Sequence, residues 1–231
     1  MRVRVATTAV GITAVALLAL PACSPHSAAL PAPSSSAASG SPAVNEVNST
    51  PLSSAALTAR LLDESDLGSG YTRKAERPAR HDDVTVLGCP ALSDLGGEAA
   101  TGGSLDFPRQ AKTSFTYAGH SDSEISEELY SDTPAKLSDG MVEVFDAMAG
   151  CPEYQILVGG SAVDIATQKT ASPHLGEEQW SQLLTFSAGG HDRVVKQTAI
   201  RDGNVLVVVS GSPALVDRHL DKALTKATAG R

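Results

Sequence analysis

Three thiols carry the reactive chemistry of this 231-residue chain. Cys23 closes the stretch Leu20-Pro21-Ala22-Cys23 at the end of an apolar run, with a small residue before it and a leucine three positions upstream. A thiol so placed is a candidate for covalent acylation. If Cys23 is spent on lipid, Cys89 and Cys151 remain as an even pair, and in an exported chain the economical inference is a disulfide. It would close a loop of 62 residues and contribute on the order of 4 kcal/mol in the chain-entropy account. A metal or redox role for the two thiols has little support, because there is no C-x-x-C and no histidine near either in sequence.

The other residues with chemical potential are scattered. There is no G-x-S-x-G, H-E-x-x-H, S-x-x-K, phosphate-binding glycine loop or EF-hand loop. His26, His81, His120, His174, His191 and His219 fall in segments that read as stalk, loop or helix surface. His81-Asp82-Asp83 is the nearest approach to a ligand cluster, but three adjacent positions cannot all point inward without special turns, so a solvated loop is expected. Asp122, Glu124, Glu127, Glu128 and Asp132 lack the fixed spacing of a cation loop and read as charges that keep a hairpin edge soluble. Trp180, the only tryptophan, sits at the start of a strand pattern and reads as core or core rim. No catalytic residue, metal or cofactor is assigned.

The segment leading to Cys23 has a basic start, Arg2 and Arg4, and an apolar stretch from Val10 to Leu20 that is too short for a comfortable permanent span. Leu20, Ala22 and Cys23 resemble the acylation site of bacterial type II signal peptides, and Pro21 is a less typical occupant of the variable position. An ordinary secretory signal with an incidental cysteine is the alternative, and both export the chain. An acylated Cys23 would anchor residues 23–231 to the membrane through several chains, at about 0.8 kcal/mol per buried methylene. Loss of residues 1–22 removes two arginines and no acid, taking the formal charge from −8 to −10. An acidic balance excludes nucleic acid as a natural partner.

Residues 23–52, rich in Ala, Ser and Pro with a single charge at Glu46, read as a disordered stalk, which places one domain over residues 53–231. Within it a short helix is expected from Ser54 to about Ser65, then loops to Pro108 with one strand at Val84 to Leu87. Alternation of Thr113, Phe115 and Tyr117 predicts a strand over Lys112 to Ala118, with Ile125 to Tyr130 as its hairpin partner. Thr133-Pro134 starts an amphipathic helix carrying Leu137, Met141, Val144, Phe145 and Met148, which Gly150 ends just before Cys151. Tyr154 to Val158, Val163 to Thr167, Gln179 to Ser187 and Arg193 to Arg201 follow as strands. Asp202-Gly203 reads as a tight turn into Val205 to Ser210, a strand buried on both faces. Ser212-Pro213 starts a last helix with Val216, Leu220, Ala223, Leu224 and Ala227 facing inward. The class is α+β: an antiparallel sheet with two main packing helices and one disulfide.

The combination of an exported lipoprotein of actinobacterial type, Leu61-Leu62-Asp63-Glu64-Ser65-Asp66-Leu67-Gly68-Ser69-Gly70-Tyr71, a central helix ending at Gly150-Cys151, Gly176-Glu177-Glu178 before a strand, and Arg201-Asp202-Gly203-Asn204-Val205 resembles the PknH-like extracellular sensor domain over residues 54–228. That resemblance implies a disulfide-bonded antiparallel sheet with two helices and a cleft for an unidentified small ligand. The chain departs from the family in having one available cysteine pair where two disulfides are typical, and in carrying no kinase. The expected role is a non-catalytic ligand-binding or sensor-type module on the extracytoplasmic face of the cell membrane, lipid-anchored through Cys23. Its partner would be a small molecule or envelope component. A lipid or glycolipid carrier with an apolar cavity and an envelope enzyme are the rival readings.

Overall fold

The computed structural model describes residues 50–75, 84–101, 105–118 and 123–230. Cys23, the stalk to residue 49 and His81-Asp82-Asp83 lie outside these residues. Among them nine strands form one antiparallel sheet, and six helices cover its faces. In chain order the strands are β1 (Tyr71–Arg73), β2 (Val84–Leu87), β3 (Gln110–Tyr117), β4 (Glu124–Ser131), β5 (Glu153–Val158), β6 (Ser161–Lys169), β7 (Glu178–Ala188), β8 (His191–Asp202) and β9 (Val205–Gly211). Across the sheet their order is β1-β3-β4-β9-β8-β7-β6-β5-β2. The last five strands, β5 to β9, follow one another across the sheet as a meander. The β3–β4 hairpin expected from the sequence is paired from Gln110↔Tyr130 to Thr116↔Glu124, and residues 119–122 between them lie outside the described residues.

β9 lies between two apolar layers. Val205, Val207 and Val209 face Leu57, Leu61 and Leu62 together with Leu215, Val216, Leu220, Ala223 and Ala227 of α6 (Pro213–Ala227). Leu206 and Val208 face the other way, toward Leu137, Met141, Phe145 and Met148 of α5 (Pro134–Gly150). A strand buried on both sides cannot alternate in polarity, which is why this stretch is a run of aliphatics. Both main helices have proline in the first turn, where a missing N–H costs nothing. Thr133 caps α5 by accepting from the Lys136 amide. Ser212 does not cap α6; its hydroxyl accepts from the Glu124 amide at 3.3 Å instead.

The helix expected from Ser54 to Ser65 is two short ones, α1 (Ser54–Thr58) and α2 (Glu64–Leu67). Asp63 accounts for the break: its carboxylate accepts from the amides of Ser65 and Asp66, while Asp66 accepts from the Asp63 amide, a capping box that starts a new helix. The hairpin turn before β9 is Gly203-Asn204, one residue later than the sequence suggested, because Asp202 already pairs with Val205. The fold also begins ahead of residue 53. Asn204 Nδ2 donates to the Thr50 carbonyl at 2.5 Å, and the Leu52 amide donates to Ser131 Oγ at 2.8 Å.

Ahead of both main helices in sequence, α3 (Pro90–Leu95) and α4 (Gly97–Ala100) pack on the α5 side. Cys89 precedes α3 and Cys151 follows α5, and the two sulfurs are bonded at 2.01 Å. The disulfide therefore ties the weakly patterned segment to the end of the central helix, as expected.

Candidate functional site

The site builds from one polar row. On the α5 side of the sheet Ser114, Ser126, Ser210, Gln197 and Gln182 stand opposite one another across β3, β4, β9, β8 and β7. Gln182 and Gln197 are buried, Gln182 Nε2 donates a hydrogen bond of 2.9 Å to Gln197 Oε1, and Gln182 also reaches Met148 Sδ under the end of α5. Ser126 and Ser210 are half-buried, with hydroxyls 2.7 Å apart. The row starts beneath α5 and emerges as the floor of a groove of about 390 Å³, which also takes in Ile125, Phe186 and Val195. A floor made by five hydrogen-bonded strands is rigid, which lowers the cost of ordering polar groups around a ligand.

Three cations form the walls. Lys74 is placed by its amide, which donates to the Ser114 carbonyl at 2.8 Å one residue beyond β1. Lys112 stands on β3 opposite Glu128 and forms an ion pair with it. Arg193 is on β8, opposite Phe186 of β7. Lys74 Nζ and Arg193 Nη2 both reach Glu124, at 2.6 and 3.0 Å on its two oxygens. Partial burial works against ionisation of Glu124, but hydrogen bonds from these cations hold its carboxyl below the usual range.

The position of Glu124 is set by backbone. Ser212 N donates to the Glu124 carbonyl at 2.8 Å, and Gly211 brings β9 so close to β4 that a Cβ there would stand 2.1 Å from that same oxygen. A second polar network fixes the floor beside Lys112. Glu128 accepts from Lys112 and from the Tyr130 hydroxyl, which itself accepts from the Leu105 amide at 2.9 Å. The described residues of the lining offer hydroxyls, ammonium and guanidinium groups and one carboxylate, a set suited to hydrogen bonding and charge pairing with a ligand.

The acidic run belongs elsewhere than expected. Asp122 lies outside the described residues, and β4 is an interior strand with Glu127, Glu128 and Asp132 buried. They do not protect an edge. Glu124 and Glu128 serve the groove, whereas Glu127 points to the opposite face and accepts from the Leu62 amide at 2.6 Å. Asp132 is paired with Arg109 and Lys136. Strand parity divides this run between two faces, and the sequence shows parity only once the strand is known to have two covered sides.

Trp180 is half-buried, as expected of core rim: its ring stacks on Phe145 with centroids 5.1 Å apart, and Lys169 Nζ lies 3.9 Å from the indole centroid. His219 is not on the helix surface; it is buried and its Nε2 meets the Tyr71 hydroxyl at 2.7 Å. His174 and His191 are exposed. The groove residues Lys74, Lys112, Ser114, Ser126, Arg193 and Ser210 were not predicted. The alternation of Lys112, Ser114 and Thr116 against Thr113, Phe115 and Tyr117 was their one signal, and it marks a polar face without saying that the face is a floor.

A larger cleft of about 830 Å³ lies between α5 and the α3–α4 segment. Leu95, Leu105 and Phe107 share it with Glu98, Asp106, Asp139 and Glu143, a lining that does not suit an acyl chain. The aromatic ring of Phe107 occupies a notch at Gly140, where a Cβ would meet its Cζ at 2.6 Å.

No family model matches the sequence, and no curated protein matches it. Among solved structures the chain is similar to the extracellular domain of PknH from Mycobacterium tuberculosis, with a TM-score of 0.57 at 13% identity, over 77% of this chain and 97% of that one. The two share a fold. No described helix is long and apolar enough to cross a membrane.

Proposed function

We propose that this protein is an extracytoplasmic sensor-type module, held at the membrane by acylated Cys23, that binds a small polar ligand in the groove over Ser114, Ser126 and Ser210. The observation that carries this reading is the polar row itself. A sheet face opposite a packing helix is ordinarily apolar, yet here it continues as hydroxyls and amides into an open groove walled by cations. The fold shared with an extracellular domain of PknH is in keeping with an extracytoplasmic setting. The hydroxyls and cations that line the groove suit the binding of a polar ligand, and the carboxylates of the larger cleft disfavour a lipid carrier.

Native mass spectrometry of the protein purified from its own host tests the proposal. The expected result is a retained small polar molecule that is lost when Ser126 and Ser210 are both replaced by valine. A retained lipid would favour the carrier reading, and a ligand retained equally by the double variant would remove the groove from consideration.

A further inference from the structure

We infer that the ligand is recognised through an anionic group, a phosphate, sulfate or carboxylate, bound between Lys74 and Arg193 in the place that Glu124 fills in this structure. The inference rests on the reading of the groove as the ligand site. Two cations from opposite sides of β4, Lys74 just beyond β1 and Arg193 on β8, converge on the two oxygens of one carboxylate, at 2.6 and 3.0 Å. That is the arrangement by which separate donors hold a phosphate or carboxylate. Lys112, the third cation of the lining, is already paired with Glu128, so Lys74 and Arg193 share the one carboxylate of Glu124 among the described lining residues and leave one positive charge in excess, in a chain whose formal charge is −8. The core does not require this concentration of charge, since the side chains of Lys74 and Arg193 are 43% and 53% exposed.

Glu124 is suited to act as an internal stand-in. Its backbone is fixed by Ser212 while its carboxylate is partly exposed, and ion pairs of such exposure are weak enough to be exchanged for a better placed anion. Beneath it, the hydroxyls of Ser126 and Ser210 offer donors and acceptors to the remainder of the ligand. Displacement of Glu124 by a ligand would release it from both cations while leaving those cations paired, so recognition costs no unpaired positive charge.

Calorimetric titration of the purified full chain with glucose 6-phosphate, inorganic phosphate and glucose tests the inference, with co-sedimentation on phosphatidylglycerol vesicles as a parallel arm using Cys23→Ala protein, so that an anchor does not contribute. The expected result is binding of a phosphate-bearing probe that weakens with salt and falls about tenfold in Lys74→Ala and in Arg193→Gln. Glu124→Gln should strengthen it severalfold, since the competing carboxylate is gone and both cations remain. Vesicle binding with this same response to the three substitutions would assign the anion to a lipid headgroup; soluble phosphate binding with that response would assign it to a free ligand. Glucose binding as tightly as glucose 6-phosphate, weaker anion binding in Glu124→Gln, or no binding of any anionic probe would overturn the inference. None of these touches the groove reading, which falls only if the native ligand survives the paired Ser126 and Ser210 substitutions.

Discussion

The Glu127 carboxyl accepts from the Leu62 amide through one oxygen, and its other oxygen is buried without a partner. Burial raises its pKa from the ordinary 4.5 to about 8, outweighing the Leu62 amide and Lys226, which favour the charge; Asp66 adds to the rise. Folding therefore takes up a proton between these two values. The stability conferred is full below 4.5, declines as pH rises through the window, and is lost above about 8. Glu127→Gln keeps the acceptor for Leu62 and removes the titration. Urea denaturation from about pH 5 to about pH 9 should show the variant gaining on the parent as pH rises, by a difference on the order of 4 kcal/mol across the window. Parallel profiles would mean that Glu127 does not titrate there. The sequence named Glu127 but gave its neighbours no separate meaning, because adjacent acids on a strand face opposite ways and only the packing says what each face meets.

At the scale of elements, the close approach of β4 and β9 depends on Gly211. Its φ of +144° and the 2.1 Å that a Cβ would leave to the Glu124 carbonyl oxygen exclude a side chain. Gly211→Ala is expected to cost on the order of 3 kcal/mol and to shift backbone amide resonances of residues 123–126; an unchanged denaturation midpoint would contradict this account. Phe107 in its notch on α5 at Gly140 and the disulfide beside α5 hold the weakly patterned segment in place. Reduction of Cys89–Cys151 should lower stability by about 4 kcal/mol if the chain-entropy account holds. Intact protein should migrate faster on a non-reducing gel than reduced protein and titrate neither thiol. Most elements were legible because their signals are local: apolar spacing on α5 and α6, proline in the first turn, alternation in β3. The split of α1 from α2 was missed because Asp63 looks like any surface acid until its carboxylate is seen to cap the next helix.

For the whole molecule, the anchoring reading has its own measurement: labelled fatty acid should enter the parent chain and not Cys23→Ala, and label in the variant would refute acylation at that thiol. What the sequence determined by itself was the class of fold, the pairing of Cys89 with Cys151 and the strand buried on both faces. Each rests on composition or on a period that repeats within one element, and such periods are readable without knowledge of neighbours. The tertiary structure alone decided that Ser114, Ser126, Ser210, Gln197 and Gln182 form one row, since they come from five strands spread over 97 positions and meet only through register. It also decided that Glu124 lies between Lys74 and Arg193, residues 50 and 69 positions away in sequence. Local preference fixes elements, but a site made by cross-strand neighbours exists only when hydrogen bonding between strands has set their alignment.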